Sequence, residues 1–427
     1  MWTAERRRGL LHACADAIEA AREELTALAV AESGLTVARI VGEITRTTGQ
    51  MRLYGDHVAA GKHLSPRFSA GAGLGGADIR TIDVPLGPVA VFAASNFPFA
   101  FGVPGGDTAS ALAAGCPVVV KGHPAQPELS RRVADILTAA ADAFGAPHGT
   151  FTFVESADNA VAVELVRHPA IQAVGFTGSL GGGRALMDAA AGRPDPIPVF
   201  AEMSSVNPVF VLPEAATDPA WATILAGSVL GSAGQLCTKP GLIFVPDTAD
   251  GRRLADEIEA AVTASDPIPM LTDGMAAAHR AWRAGTSGGP DSSTERVGRP
   301  FTVRIGGKQL VGDFLSEHFG PSAVLVTADP GDYAELASRL EGQLTATIIA
   351  ADGDHAAGAR LLPVLAAKVG RVVWNNVPTG VAVCEAMQHG GPWPATSASW
   401  STSVGTEAIK RFVRPVALQG VPSTVWS

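Results

Sequence analysis

The chain alternates short apolar runs of strand length with alanine-rich helical segments, and this alternation restricts the fold more than any other feature. From residue 84 onward such runs recur at 89–92, 118–120, 151–154, 173–176 and 199–200. They are apolar throughout, as expected of strands that are covered on both faces. The pattern predicts an α/β fold that begins with an open parallel sheet flanked by helices.

Other segments complete this predicted architecture. Residues 13–30 predict one amphipathic helix, with Ile18, Leu25 and Leu28 on its apolar side. A second α/β lobe is predicted after Glu202. Strand-like pieces at 78–84 and 412–418 belong to neither lobe. The predicted domains are a first lobe at 1–76 and 88–202, a second lobe at 203–383, a return to the first lobe at 384–410, and a separate arm at 77–87 and 411–427.

Composition excludes several classes of protein. Hydrophobic residues make up 47% of the 427, yet the runs are short and broken by Gly or Pro, so no transmembrane helix or signal peptide is predicted. The net charge of −9 offers no basic surface for nucleic acid. The four cysteines form no Cys-x-x-Cys pair, which argues against a zinc site or a disulfide scaffold. We therefore expect a cytoplasmic protein without a metal.

Cys237 is the first candidate for chemistry. It lies in the small-residue segment 231–238, between an apolar stretch that ends at Leu230 and a strand-like run at 242–245. Small neighbours leave room for a substrate and let backbone N–H groups approach a developing oxyanion. A cysteine without such context is more often a packing residue, so the nucleophile hypothesis depends on its partners.

Two polar residues that follow strand-like runs are candidate partners. Glu202 comes after 198–201, where partial desolvation would raise its pKa toward that of a general base. An ion-paired or helix-capping glutamate fits the same pattern. Asn96 follows 88–94 and is stiffened by Pro98, so its amide could donate to an oxyanion. A turn asparagine is the alternative.

Two further segments suit a phosphate-bearing ligand. Gly178 and Ser179 form a turn between a strand-like run and a predicted helix, where free N–H groups favour a pyrophosphate. This turn is not the Gly-x-Gly-x-x-Gly pattern, and alone it is weak evidence. Lys121 ends the predicted strand 118–120, at the sheet edge where open α/β sheets bind ligands. A surface lysine is the alternative.

Taken in this order, the segments resemble the aldehyde dehydrogenase superfamily. The resemblance runs from about residue 13 to the C-terminus and includes the motif at 317–321. Within the superfamily the chain is most similar to the 2-oxoglutarate semialdehyde dehydrogenase branch, on the motifs 105–112, 235–241, 387–392 and 401–405. The resemblance implies a Rossmann-like cofactor domain, a catalytic α/β domain and a β arm for oligomerisation, and hence a homodimer or homotetramer.

The resemblance also implies the catalytic roles. Cys237 would attack an aldehyde to form a thiohemiacetal, whose oxyanion the Asn96 amide and the Cys237 backbone N–H would hold. Loss of hydride to a nicotinamide would leave a thioester, and Glu202 would activate the water that hydrolyses it. Lys121 and Glu317 would bind the nicotinamide-side ribose, with Ser179, after Gly178, at the pyrophosphate and Phe319 beside the ring.

One position bears on the choice of cofactor. Many relatives that prefer NAD have a glutamate three residues after the lysine, where this chain has Pro124. Without that carboxylate a 2′-phosphate is acceptable, with His123 or Lys121 as its partner. We expect NADP, with NAD as the alternative.

Phe97 and Trp400 are the expected lining of the aldehyde funnel. Relatives in this branch often have an arginine where Trp400 stands, and an arginine would suit a substrate carboxylate. A tryptophan favours a more apolar aldehyde, or it packs in the core. The expected substrate is therefore a small aldehyde, either a semialdehyde such as 2-oxoglutarate semialdehyde or a more apolar one.

The chain departs from the family pattern in two places. An N-terminal strand-and-loop segment is missing before a helix that begins near Ala4, and 245–317 is shorter, with a surface loop expected at 284–293. Two other functions stay open, namely acyl transfer to coenzyme A and a non-catalytic cofactor-binding role. Glu202 argues against the first, and the joint presence of Cys237, Glu202, Asn96 and Lys121 argues against the second.

Overall fold

The computed structural model describes residues 2–286 and 295–426. Most of the loop expected at 284–293 therefore lies outside the described residues. The chain begins with three packed helices, α1 (Ala4–Ala20), α2 (Arg22–Ser33) and α3 (Val37–Ala59).

The single helix expected at 13–30 is in fact two helices that meet at Ala21. Buried side chains nevertheless continue across the break, from Leu11 and Ile18 on α1 to Leu25 and Ala29 on α2. A break of one residue barely changes the apolar periodicity, so the sequence pattern could not locate it.

The first lobe is a parallel sheet covered by helices, as predicted. Two arm strands, β1 (Arg67–Ser69) and β2 (Ile79–Pro85), precede it. The sheet has the order β5-β4-β3-β6-β7. Its strands and helices, in chain order, are β3 (Val89–Phe92), α4 (Gly106–Ala114), β4 (Val118–Lys121), α5 (Pro127–Ala143), β5 (Phe151–Val154), α6 (Asn159–Arg167), β6 (Ala173–Thr177), α7 (Leu180–Ala191) and β7 (Val199–Glu202).

Parallel pairing in this sheet puts the carboxyl ends of the strands along one edge. The pairs Val118↔Phe151 and Val174↔Val199 run in the same direction as their neighbours. Glu202 ends β7, and Asn96 follows β3 after a short connection. The two candidate residues therefore reach the same edge of the first sheet.

The second lobe is a six-stranded parallel sheet of order β12-β13-β9-β8-β14-β15. Its core includes the stacked rings of Phe210 and Phe244, whose centroids are 4.3 Å apart. In chain order its elements are β8 (Val209–Val211), α8 (Ala220–Leu230), β9 (Leu242–Pro246), α9 (Ala249–Thr263), β10 (Ile268–Pro269), α10 (Asp273–Thr286), β11 (Val297–Gly298), β12 (Phe301–Gly306), β13 (Ser322–Ala328), α11 (Tyr333–Ser338), β14 (Gln343–Ile349), α12 (His355–Ala366) and β15 (Val369–Trp374). Strands β10 and β11 form a separate antiparallel pair.

The arm is a three-stranded antiparallel sheet of order β1-β2-β16. Strand β16 (Val413–Gln419) pairs with β2 along its length, from Pro85↔Val413 to Ile79↔Gln419, and α13 (Ser423–Trp426) follows it. A buried ion pair of 2.7 Å between Arg411 and Asp107 on α4 attaches the arm's base to the first lobe. Oligomerisation through this arm, and the domain boundaries proposed above, stay predictions.

Two global features concern the described residues as a whole. No helix among them is both long enough and apolar enough to span a bilayer. All four cysteines are free thiols, with Cys14, Cys116 and Cys237 buried and Cys384 exposed. Cys237, the candidate nucleophile, is therefore a reduced thiol.

Candidate active site

A tight loop between α8 and β9 carries Cys237. Ser232, Ala233 and Gly234 all have left-handed backbone, with φ of 51°, 56° and 65°. A Cβ at position 234 would lie 1.9 Å from the Gly320 carbonyl oxygen, so only glycine permits this contact. The Gly320 N–H donates to the Gly234 carbonyl at 3.2 Å. The cysteine loop is thereby joined to the loop that carries Glu317.

Two buried side chains hold the cysteine loop, and sequence reasoning identified neither. Asn207 donates from Nδ2 to the Cys237 carbonyl at 2.8 Å and to the Lys239 carbonyl at 3.0 Å. Lys239 donates from Nζ to the carbonyls of His318 at 2.7 Å and Ser322 at 2.8 Å. Burial lowers the pKa of Lys239 to about 8. The signal available in the sequence for this buried role was a lysine among the uncharged residues of the motif 235–241.

The thiol lies beside an imidazole and a carboxylate. Cys237 Sγ is 3.7 Å from His389 Nε2, which is 3.0 Å from Glu202 Oε1. Ser403 donates a short hydrogen bond from Oγ to Glu202 Oε2. All four residues are buried. His389 and Ser403 belong to motifs noted in the sequence, but their distance along the chain from Cys237 gave no sign of this contact.

The charge state of Glu202 differs from the sequence-based expectation. Burial has the largest single effect and raises its pKa, but the His389 charge and hydrogen bonds from His389, Ser403 and Cys237 together outweigh it. The pKa of Glu202 is therefore lowered, and the raised pKa predicted above was wrong. The reason is the polar surroundings that the fold brings to a buried carboxylate. Glu202 is a carboxylate at neutral pH.

Burial has the opposite effect on the thiol. It raises the pKa of Cys237 well above the usual cysteine value, and the negative charge of Glu202, joined by that of Glu317 once it ionises, raises it further. The Arg46 guanidinium lowers it, to a smaller extent. Cys237 is therefore a thiol at neutral pH and has bases within reach to take its proton.

This charge state predicts how Cys237 reacts with an alkylating reagent. We expect iodoacetamide to modify it slowly at neutral pH, at a rate that rises about tenfold per pH unit, because only the thiolate reacts. Mass spectrometry of the peptide across a pH series measures this rate. Exposed Cys384 serves as the internal control for reagent access. A rate that is already constant near neutral pH would contradict the raised thiol pKa.

Asn96 offers an amide donor close to the cysteine loop. It is buried, and its Nδ2 donates one hydrogen to the Gln235 carbonyl at 3.0 Å. An amide nitrogen carries two hydrogens, so a second is available. Asn96 borders the same cavity as Cys237.

That cavity has a volume of about 400 Å³ and extends from the thiol to the start of α7. Most of the residues predicted for catalysis and cofactor binding line it, namely Asn96, His123, Gly178, Ser179, Cys237, Glu317 and Phe319. Met275 and Ala278 of α10 also line it and were not predicted. The first lobe thus supplies one wall, and the second lobe supplies the other.

The cavity residues fit a dinucleotide. Ser179 caps α7, its Oγ accepting from the Gly182 N–H at 3.2 Å, so the helix N-terminus faces the cavity and suits a pyrophosphate. Burial raises the pKa of Glu317 to about 8, against hydrogen bonds from Ser205 and Ser204 and the Lys239 charge. A protonated carboxyl both donates and accepts, as binding to a ribose hydroxyl pair requires.

Lys121 and His123 have hydrogen-bond partners within the protein, and their cofactor-binding roles stay predictions. Lys121 donates from Nζ to the Ser156 carbonyl at 2.6 Å and is not among the cavity residues. His123 is in the cavity, but burial, followed by the Lys121 charge, lowers its pKa to about 4. Its Nδ1 accepts from the Ala125 N–H at 3.1 Å. A neutral imidazole offers a phosphate a hydrogen bond without a charge.

The two funnel candidates separate in the structure. Phe97 packs against Cys237. Trp400 is 82% exposed and borders a different cavity with Phe200 and Lys410, so it neither lines the cysteine site nor packs in the core. Ser397 anchors this segment to the first lobe, because its Oγ accepts from the Ala201 N–H at 2.8 Å. Trp400 then lies on the outer side of the loop.

Sequence comparisons give one family for most of the chain. Residues 1–267 match the model of the aldehyde dehydrogenase family. The chain is 44% identical over 434 residues to alpha-ketoglutaric semialdehyde dehydrogenase 2 of Azospirillum brasilense, covering 97% of this chain and 83% of that protein. It is 41% identical over 442 residues to alpha-ketoglutaric semialdehyde dehydrogenase of Acinetobacter baylyi, covering 98% and 82%.

Solved structures share the fold at lower identity. An NADP-dependent enzyme of E. coli superposes with a TM-score of 0.82 at 23% identity, covering 98% of this chain and 86% of that one. A putative methylmalonate-semialdehyde dehydrogenase from Sinorhizobium meliloti, complexed with NAD, superposes with a TM-score of 0.81 at 23% identity, covering 99% and 87%. These likenesses confirm the predicted α/β fold class.

Proposed function

Because this chain belongs to the aldehyde dehydrogenase family and oxidises an aldehyde with NAD(P), we propose that its substrate is 2-oxoglutarate semialdehyde. The identity of 44% to a relative of that name over nearly the whole chain supports this substrate. We further propose that Cys237, Glu202 and Asn96 perform the catalysis, with His389 as an additional member of the site. The observation that carries this assignment is the buried contact of Cys237 Sγ with His389 Nε2 at 3.7 Å, beside Glu202.

The first step is attack by sulfur on the aldehyde carbon. The thiol proton passes to the Glu202 carboxylate, to which Cys237 is already hydrogen-bonded, as the carbon–sulfur bond forms. Because the pKa of Glu202 is lowered, the carboxylate returns this proton to water before the hydrolysis step. The aldehyde oxygen becomes the oxyanion of a thiohemiacetal. The free hydrogen of the Asn96 amide stabilises that charge.

The second step releases the acid. When bound, the nicotinamide supplies the hydride acceptor that converts the thiohemiacetal to a thioester of Cys237. Glu202 then accepts a proton from water, the resulting hydroxide attacks the thioester carbonyl, and the thiolate leaves. Ser403 holds Oε2 of Glu202, so Oε1 is the oxygen that faces the water and His389.

Pro124 supports a proposal of NADP over NAD. No carboxylate occupies this exposed position, so nothing there repels a 2′-phosphate. Lys121 would provide a positive charge and His123 a hydrogen bond. We also propose a homodimer or homotetramer through the arm, since Phe68 of β1 is 56% exposed in the single chain, and light scattering of the purified protein measures the mass.

Turnover with matched aldehydes and cofactors tests the proposed function. We expect the highest kcat/KM with 2-oxoglutarate semialdehyde and NADP, and free acid as the product even when coenzyme A is present. The absorbance of the reduced cofactor measures the rate, and chromatography identifies the product. A thioester of coenzyme A would contradict hydrolysis, and a preference for aromatic aldehydes would contradict the substrate. Absence of turnover with every aldehyde would favour a non-catalytic role.

A further inference from the structure

Two arginines on one face of α3 lie over the aromatic rings beside Cys237. The Arg39 guanidinium carbon is 4.4 Å from the ring centroid of Phe97, and that of Arg46 is 5.7 Å from the ring of Phe101. The two rings contact each other edge to face at 5.5 Å, and Phe97 packs against Cys237. None of these four residues lines the cofactor cavity.

These guanidinium groups are incompletely satisfied within the described chain. The Nε of Arg39 is buried without a hydrogen-bond partner there, and its Nη2 lies 3.3 Å from Oε2 of Glu43. Glu43 is itself occupied, since its Oε1 accepts from the N–H groups of Phe99 and Ala100 at 2.9 Å. Half-buried Arg46 forms no hydrogen bond or ion pair with the described residues. Partly desolvated cations without full partners favour an incoming anion.

Arg46 lies near the nucleophile. Its charge lowers the pKa of the Cys237 thiol, and the Phe101 ring beneath it is 6.3 Å from the His389 ring. The surroundings are apolar, since Phe101 belongs to a buried cluster against which Phe97, Val381, Val383 and Met387 pack. An approach to the thiol with an apolar wall and a guanidinium beyond it suits a short aldehyde with an anionic far end.

We propose that Arg46, with Arg39 beside it, binds the carboxylate of the semialdehyde while its aldehyde carbon lies at Cys237. This inference rests on the proposed function and names the residues that select its substrate. Guanidinium binds carboxylate through two parallel hydrogen bonds, which fixes both the position and the orientation of the chain. The charge that relatives often place at position 400 would then come from α3, because Trp400 lies elsewhere on the surface.

The test compares a charged and an uncharged aldehyde of the same chain length, 2-oxoglutarate semialdehyde and pentanal. We expect Arg46→Met to lower kcat/KM for the charged aldehyde by about 10- to 100-fold, the effect of losing a charge-assisted hydrogen-bonded pair, and to change that for pentanal by less than about threefold. Arg46→Lys keeps the charge but loses the planar guanidinium that binds a carboxylate through two hydrogen bonds, so we expect an intermediate loss of kcat/KM for the charged aldehyde. Arg52→Met is the matched control, since Arg52 is on the same helix but pairs with Asp16 at the surface.

Binding of glutarate, which has no aldehyde, separates this proposal from the proposed function. Calorimetry should show glutarate bound by the wild-type protein and bound at least about tenfold more weakly by Arg46→Met. If glutarate binds in this way but no aldehyde is oxidised, the carboxylate site is supported and the proposed activity is contradicted. Equal losses for both aldehydes, or unchanged glutarate binding, would overturn the role of Arg46 and leave the aldehyde dehydrogenase activity intact.

Discussion

Replacement of Cys237 by alanine is expected to lower kcat by about 10⁴-fold or more, because the covalent route through a thioester is lost. NADP binding should stay within about threefold of wild type, because one sulfur atom is a small part of the surface that a dinucleotide contacts. Alanine fits the space without strain, because it removes only the sulfur with its contacts to His389 and Glu202 and keeps the backbone carbonyl that accepts from Asn207. Steady-state kinetics and cofactor fluorescence titration measure the two quantities.

Cys384→Ala is the matched control for this variant. Cys384 is exposed and free, so its replacement should leave both kcat and cofactor binding unchanged. Loss of cofactor binding together with activity in Cys237→Ala would show that the residue supports the cavity structure. Residual activity near the wild-type level would remove Cys237 from the role of nucleophile.

Replacement of Glu202 by glutamine is expected to trap the thioester. Glutamine keeps the shape and can still accept the Ser403 hydrogen bond, but it cannot take a proton from water. We expect one rapid burst of reduced cofactor per active site, followed by turnover slowed by about 10²- to 10⁴-fold. Rapid-mixing absorbance measures the burst, and intact-protein mass spectrometry detects the acyl group on Cys237.

Glu164→Gln, at an exposed position of α6, controls for the loss of one carboxylate elsewhere in the chain. It should show normal turnover and no burst. A slow Glu202→Gln variant without any burst would assign Glu202 to removal of the thiol proton, the step before the thioester forms. An unchanged steady-state rate would instead leave water activation to His389 alone.

Much of the fold could be predicted because its signals are local. Strands β3 to β7 contain the apolar runs at 89–92, 118–120, 151–154, 173–176 and 199–200, since each run is short and bounded by turn residues. The helix expected at 13–30 was divided at Ala21, where a one-residue interruption leaves the apolar period almost unchanged. Local pattern therefore identified the type of each element better than its ends.

The site was only partly predictable. Cys237, Asn96, Gly178, Ser179, Glu317 and Phe319 come together at one cavity, as the ordered motifs indicated. The lowered pKa of Glu202 was not foreseeable, because its cause is contact with His389 and Ser403 from a distant segment. Arg39 and Arg46 resemble ordinary surface charges of an amphipathic helix until their contacts with Phe97 and Phe101 are seen.

By itself the sequence determined the class of fold and the family, and it predicted a cysteine nucleophile, because strand periodicity and short motifs depend on neighbouring residues. Only the tertiary structure decided which residues tune that chemistry. His389 at 3.7 Å from the sulfur, Lys239 beneath the Glu317 loop, and Trp400 outside the funnel all result from contacts between segments far apart in the chain. Protonation and substrate charge depend on such contacts, since desolvation and neighbouring charges exist only once the lobes have packed together.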